Sequence, residues 1–227
     1  MEAELANASA WAAYGAYHMT RGTNSPELER ITWGFWPDGP AEEVLGDMRD
    51  CRIADIGSGL GRHAAYLVRK HGVTIDAIEA SATQHERAAS RYSGLSGLQF
   101  VLADAVDHLR QAEPYDVIYS INAFGYVDPK RLLPAVAAAL APGGRLVFSV
   151  LHTNSEGSSP SDTATARPEI LPLAGGGQLP VQMWVLATEV WRRLLEAQGL
   201  RVEGIDTLDA PDLENPVSCR LFRVRRP

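Results

Sequence analysis

The run Asp55-Ile-Gly57-Ser-Gly59-Leu-Gly61 is the part of this 227-residue chain whose residue types and spacing most clearly imply chemistry. A short apolar run, Arg52–Ile56, leads into it, and a helical pattern opens at Gly61. Glycines at such a junction let the backbone approach a ligand closely, and the helix that follows offers unpaired N–H groups. Glu79 stands eighteen residues past Gly61, at the end of the next apolar run. A carboxylate there accepts hydrogen bonds from both hydroxyls of a ribose. The glycines run GxGxG, and Arg62 occupies the place where a dinucleotide fingerprint has its third small residue. A bulky Arg opposes the helix–strand packing of that fingerprint. Asp55 suits an ammonium group and is poorly placed beside a pyrophosphate. The ligand that fits carries a ribose, an adenine and an amino acid, and no phosphate.

Those residues need elements to hold them. The spacing predicts strands at 52–56, 73–78, 98–102, 115–120 and 145–151, with helices at 61–71, 81–92 and 129–140. Strands alternating with helices of about ten residues mean βαβ units and a parallel sheet. Residues 152–180 break the alternation and read as a structureless, lid-like insertion. A helix at 188–198 and strands at 202–208 and 218–224 close the chain, the last carrying a basic cluster read as a solvated end strand. Residues 1–50 read as a helical cap over the active site, and 51–227 as the ligand-binding core.

Composition narrows the function classes. Apolar residues are 45% and charged residues 22%, as in ordinary globular domains. Net charge is −7, which argues against broad phosphate-backbone binding, so no nucleic-acid partner is expected. Cys51 and Cys219 are the only cysteines, so neither a Cys-based zinc site nor a disulfide framework is expected. No apolar run approaches the ~18 residues of a membrane span, and the acidic start Met1-Glu-Ala-Glu does not read as a signal peptide. A cytoplasmic protein, monomeric or homodimeric, is the expectation. No HxH or HxxxH pair is present, so no metal site is expected.

Five segments together make a resemblance. Ile53-Ala-Asp-Ile-Gly-Ser-Gly-Leu-Gly61, Ile75-Asp-Ala-Ile-Glu-Ala-Ser81, Val101-Leu-Ala-Asp-Ala105, Tyr115-Asp-Val-Ile-Tyr-Ser-Ile-Asn122 and Leu140-Ala-Pro-Gly-Gly-Arg-Leu-Val-Phe148 occur in the order and spacing of the class I S-adenosylmethionine-dependent methyltransferases, which the chain resembles over about residues 50–151. The resemblance implies an α/β fold with a doubly wound, seven-stranded, mostly parallel Rossmann-like sheet. It implies S-adenosyl-L-methionine as cofactor. It implies that Asp55, Gly57, Ser58, Gly59 and Gly61 surround the methionine part, with Ser120 and Asn122 near its amino group. It places Glu79 and Ala80 at the ribose, and Gln84, Asp104 and Ala105 at the adenine.

The aromatic residues gather outside that core. Trp11, Tyr14, Tyr17, Trp33, Phe35, Trp36, Tyr126 and Trp184 make up most of the inventory. Trp11, His18, Trp33, Trp36, Phe124 and Trp184 are expected to wall an acceptor pocket. His63, His71, His85 and His108 read as solvated or capping residues. A base is needed only where the acceptor loses a proton, and His152, Tyr14, Tyr17 and Tyr126 are the candidates. The expected reaction is methyl transfer to N, C or O of a small molecule, with an indole-like or amine natural product of bacterial secondary metabolism as first guess. A nicotinamide-dependent oxidoreductase and a non-catalytic S-adenosylmethionine-binding protein are the competing readings.

Overall fold

The computed structural model describes residues 2–23 and 25–227. The strands that the sequence pattern marks are present: β1 (Arg52–Ile56), β2 (Thr74–Glu79), β3 (Leu98–Leu102), β4 (Tyr115–Ile121), β5 (Leu140–Thr153), β8 (Arg201–Asp209) and β9 (Ser218–Arg225). They form one seven-stranded sheet in the order β3-β2-β1-β4-β5-β9-β8. All neighbours from β3 to β5 pair parallel, and β9 runs antiparallel to both β5 and β8. The order reverses between β1 and β4, which opens a crevice beyond the strands' carboxyl ends.

Helices cover both faces. α2 (Arg62–His71), α3 (Ala82–Arg91), α5 (Pro129–Ala139) and α6 (Thr188–Glu196) follow the expected pattern. Local sequence sets their ends. Gly72 stops α2 in the left-handed conformation, the Ser81 side chain caps α3, and Asp128 caps α5 with Pro129 in its first turn. One core layer joins α4 (Ala105–Gln111), α5 and α6 to the sheet through Leu109, Leu132, Trp191 and Phe148. The other joins α2 and the 31–48 segment to it through Leu67, Trp33, Leu45 and Tyr119.

Four features differ from the sequence reading. α4 fills an interval left without an element; it is only seven residues long, begins at an Asp104 cap, and buries Val106 and Leu109. β5 does not stop at Leu151 but continues to Thr153 against β9. β9 lies inside the sheet between β5 and β8 rather than at a solvated edge. Its Arg223 and Arg225 are paired with Asp206 and Glu203 of β8. The supposedly structureless insertion contains a hairpin, β6 (Arg167–Pro172) and β7 (Gln178–Met183), whose turn runs through Gly175 and Gly176 at positive φ.

The hairpin and the first helix, α1 (Glu2–Thr20), hold each other. Asn7 is 3% exposed and makes both ends of this clasp. Its Nδ2 donates to the Tyr126 and Gln182 carbonyls at 2.9 and 2.7 Å, and its Oδ1 accepts from the Gln182 N–H at 2.7 Å. On its other side α1 rests on α3, where Thr83 donates to the Ala12 carbonyl at 3.1 Å.

Candidate active site: a cavity over the carboxyl edge of the sheet

A cavity of about 1310 Å³ lies between the carboxyl edge of the sheet, α1, and the β6–β7 hairpin. A smaller hollow of about 790 Å³ opens at the opposite edge, around Arg52, Thr74, Asp76 and Gln99, and no glycine-loop residue reaches it.

The loop after β1 floors one half of the large cavity. Gly57 and Ser58 donate backbone N–H groups to the Ile78 carbonyl at 2.9 and 3.0 Å, which locks the loop onto β2. Gly57 has φ 71°, and a Cβ there would meet the Ala123 Cβ at 2.3 Å. Only glycine fits that approach. Gly59 has φ 56°, and a Cβ on it would meet nothing within 4 Å, so the loop leaves a cradle there. The Ser58 Oγ in this loop is buried with no hydrogen-bond partner among the described residues.

Three carboxylates follow. Glu79 closes β2 with one oxygen accepting from Gly59 N at 2.8 Å and the other from Ser81 N at 2.7 Å. Burial pushes its carboxyl up, and those backbone N–H groups oppose the push. Each oxygen keeps a further lone pair for a ligand hydroxyl. Asp55 is 2% exposed, and burial, helped by the charge of Glu79, pushes its carboxyl up to about 7. A buried carboxyl of this kind calls for a cationic partner. Asp104 reaches the cavity while one oxygen caps α4, accepting from Asp107 N at 3.0 Å. Ala80, Gln84, Ala105 and Asn122 also line this half. Gln84 Oε1 is taken up by Arg87 at 2.7 Å. Asn122, at φ 55°, turns its Nδ2 toward the Trp33 carbonyl at 3.5 Å.

This donor set fits S-adenosylmethionine. A cradle without side chain, an unpartnered buried hydroxyl, a carboxylate pair with free lone pairs, and a buried acid in want of a cation match its ribose and amino acid. Among the described residues, Arg62 is the one Arg or Lys at the glycine loop, so no cluster of cations is gathered there for a pyrophosphate.

The other half of the cavity is apolar. Trp11, Tyr14, Trp36 and Tyr126 line it, together with Phe35, Leu151, Ile170, Leu171 and Met183. Trp11 meets Tyr14 and Tyr126 edge-on at 5.2 and 5.4 Å between ring centres. Glu169 stands in this wall, as do Glu156 and Glu4. Glu169, 8% exposed at its side chain, is held from behind by Arg167 at 2.8 Å and Asn154 at 3.0 Å. Burial and the charge of Glu169 push the Tyr126 phenol well above its ordinary pKa.

Several residues expected at the site lie elsewhere. Ser120 is fully buried and donates to the Ile56 carbonyl at 2.8 Å, pinning β4 to β1. Gly61 admits Phe100 of β3: a Cβ there would meet that ring at 2.6 Å. Close helix–strand packing, which the sequence reading attached to position 62, is thus the work of Gly61. Trp33 is fully buried against Tyr119, its Nε1 donating to the Ala41 carbonyl at 2.9 Å. Trp184 is a core residue, and the ring of Phe124 stacks on Phe148 although the residue touches the cavity. Tyr17 donates to the Ala174 carbonyl on the hairpin turn, outside the cavity. His18 bonds Thr23 at 2.6 Å, also outside. His152 is off the wall: Leu151 lines the cavity, whereas His152 is the unpaired residue where the β5–β9 register shifts, and it lies near Arg220 and Asp209.

Other wall residues escaped the sequence reading: Arg62, His63, Arg131, Asn154 and Glu169. His63 is neither solvated nor a cap. Its Nε2 lies 3.2 Å from Thr32 Oγ1, and burial pushes its pKa down to about 3. Arg62 was legible by position, as the first residue after the loop. Glu169 carried no local signal, because only the hairpin fold brings it to the cavity.

Comparison with known proteins agrees with this geometry. Residues 53–144 match the model of a methyltransferase domain family. The chain is 30% identical over 141 residues to methyltransferase GfsG of Streptomyces halstedii, covering 53% of this chain and 50% of that one. It is 28% identical over 214 residues to O-methyltransferase cnsE of Penicillium expansum, covering 85% and 71%. The chain thus spans about half the length of GfsG. A solved S-adenosylmethionine-dependent methyltransferase from Mesorhizobium loti superposes with a TM-score of 0.58 at 24% identity, over 78% of this chain and 91% of that one. Its likeness is one of fold. Over residues 53–144, which carry the GxGxG loop with Asp55 and Glu79, the chain is similar to this methyltransferase domain family, and the sheet order accords with that likeness.

Proposed function

We propose that the chain transfers a methyl group from S-adenosylmethionine to a hydroxyl oxygen of an apolar small molecule that bears no anionic group. One observation carries this reading: a single cavity joins the Gly57–Gly59 loop, Asp55 and Glu79 to an aromatic chamber. When bound, the cofactor supplies a methyl group on a positively charged sulfur, already activated for transfer. What remains for the protein is alignment and exclusion of water. Trp11, Trp36 and Phe35 supply flat apolar contact, while α1 and the hairpin shut out solvent. Among the described residues that line the cavity, the chamber holds no free cation, since Arg131 is paired with Glu4 and Arg62 stands at the glycine-loop end. That disfavours phosphate or carboxylate groups on the acceptor.

Glu169 is the buried acid beside Tyr126, and its carboxylate is suited to accept a hydrogen bond from the acceptor's O–H. Tyr126 stays protonated beside it and serves as a donor rather than a base. That cnsE is an O-methyltransferase supports oxygen as the methylated atom. The test is incubation of the full chain with S-adenosylmethionine and a panel of phenols, alcohols, amines and indoles, with product masses read. Methylated phenols or alcohols are the expected products. Turnover confined to amines or to ring carbons overturns the oxygen assignment, and absence of S-adenosylhomocysteine binding overturns the whole reading.

A further inference from the structure

An α-carboxylate brought into this cavity needs a cation, and the walls offer few. Among the described residues that line it, the permanently charged cations are Arg62 and Arg131. Arg131 is committed at the adenine end, paired with Glu4 and 3.9 Å from the Asp104 carboxylate. His63 is held neutral by burial. Arg62 is differently placed. It opens α2 directly after the glycine loop. Its Nη1 donates to the Pro26 carbonyl at 2.8 Å. A guanidinium has five N–H donors, and Arg62 makes no ion pair within 4 Å among the described residues.

The sheet gives the direction. β1 lies between β2 and β4, with β3 on the far side of β2. A ligand whose ribose sits on Glu79 and whose base points toward Asp104, beyond β3, lays its amino acid toward β1 and the start of α2. There its amine meets Asp55, and its carboxylate meets the loop, Arg62 and the buried, unpartnered Ser58 Oγ. Ser25 and Tyr14 line the same corner.

We infer that Arg62 anchors the α-carboxylate of the cofactor, with the Ser58 hydroxyl as second donor; this rests on the methyltransferase reading. The sequence had offered Arg62 only as an argument against a dinucleotide. Because the same guanidinium holds Pro26, the bound carboxylate also fastens the segment that leads to Phe35 and Trp36.

The experiment compares two probes on the full chain by calorimetry: S-adenosylhomocysteine, and its decarboxylated analogue, which keeps the amine. Wild type is expected to prefer the carboxylate-bearing probe by about 10- to 100-fold, the worth of one charge-assisted contact. Arg62→Gln keeps an N–H for Pro26 and removes the charge. It is expected to erase that preference while leaving the analogue's affinity within about threefold. Arg62→Lys, which restores the charge, is expected to recover part of it. Equal losses for both probes in Arg62→Gln overturn the anchor and leave Arg62 a loop tether. An unchanged preference overturns it as well. If wild type binds neither probe, the methyltransferase reading itself has failed. Melting temperatures of the same preparations confirm that folded proteins are compared.

Discussion

The two halves of the cavity are built in opposite ways. The cofactor half comes from strand ends and the helices that follow them. Its main residues lie within three short stretches: 55–62, 79–84 and 103–105. Sheet register aligns these stretches, as when Gly57 and Ser58 bond the Ile78 carbonyl. The acceptor half comes from α1, the 25–36 segment, and a hairpin near the other end of the chain. Asn7 and Gln182, 175 residues apart, must meet before that half exists. A site assembled by a sheet is rigid and local. A wall assembled by clasped outliers can change its chemistry without disturbing the sheet, and it can open.

The strongest way to break this division is to remove Glu79. Glu79→Ala takes away the acceptor for both ribose hydroxyls and frees Gly59 N and Ser81 N at the same time. Each charge-assisted hydrogen bond is worth about 1.5–3 kcal/mol. Two of them imply a loss of roughly 100-fold or more in S-adenosylhomocysteine affinity by calorimetry. Affinity within threefold of wild type, in a folded variant, would remove Glu79 from the site.

Asp55 sharpens the same half through pH. Its folded pKa is raised, from 3.8 to about 7, so the proton it holds must leave before it can pair with an ammonium group. Cofactor affinity is therefore expected to rise with pH and level off above about 7. Between pH 5.5 and 8 the gain is about 30-fold, at one factor of ten per unit below the pKa. Stability of the ligand-free protein runs the other way. The folded state binds the proton more tightly than the unfolded chain does, so this contribution is full below about pH 4 and is lost as pH rises through about 7. Asp55→Asn is expected to flatten both profiles. Calorimetry and thermal melts across that range check them, and an unaltered pH profile in Asp55→Asn would assign the titration to another group.

The comparison also explains what the sequence made legible. The GxGxG spacing, Glu79 at the end of the second strand and the Pro142-Gly-Gly run after α5 are short-range signals, and the sheet that they imply is present, although β5 already begins at Leu140 and takes in that run. Ser120 and Gly61 belong to the same segments, but their roles in packing depend on neighbours in other strands, β1 for Ser120 and β3 for Gly61. The acceptor half left only composition to read. Trp33 and Trp184 are aromatic like Trp11 and Trp36, and nothing in their local sequence says that two pack the core while two face the cavity. The hairpin was hidden because Pro168, Pro172 and Pro180 interrupt its strands. Its partner is α1, so edge positions without an N–H are tolerated there.

A smaller perturbation should loosen the acceptor half alone. Asn7→Ala deletes all three hydrogen bonds of the clasp and leaves the carbonyls of Tyr126 and Gln182 without that donor. At about 1 kcal/mol for each bond, α1 and the hairpin should open on the order of 100-fold more often. Hydrogen exchange is expected to quicken over 2–20 and 167–183 and to stay unchanged over β1, β2 and β4. S-adenosylhomocysteine affinity should move by less than about threefold. Uniform quickening across the sheet would show that the two halves are one cooperative unit.

The smallest effect is expected where the sequence pointed to catalysis. His152 follows the residues that read as the fifth strand, at the edge where ligands bind in such sheets, and the ordinary pKa of an imidazole suits a base. The structure extends that strand through Thr153, with the register against β9 shifting at His152. Leu151 lines the cavity and His152 does not. Its Nδ1 lies 3.3 Å from Thr153 Oγ1, and burial with the nearby Arg220 charge lowers its pKa. A side chain that does not line the cavity is poorly placed to take the acceptor's proton. His152→Ala should leave kcat within about twofold on any acceptor found in the panel, against the ~10²–10⁴-fold loss expected of a general base. Its cost should appear as a small drop in melting temperature, of the order of 1 kcal/mol from lost packing. Glu169→Gln is the matching experiment on the cavity face: it keeps the side chain's size and an oxygen for Asn154, and removes the charge that faces Tyr126. If kcat falls in His152→Ala and holds in Glu169→Gln, the cavity wall has been misassigned at the end of β5, and the acceptor lies beside His152.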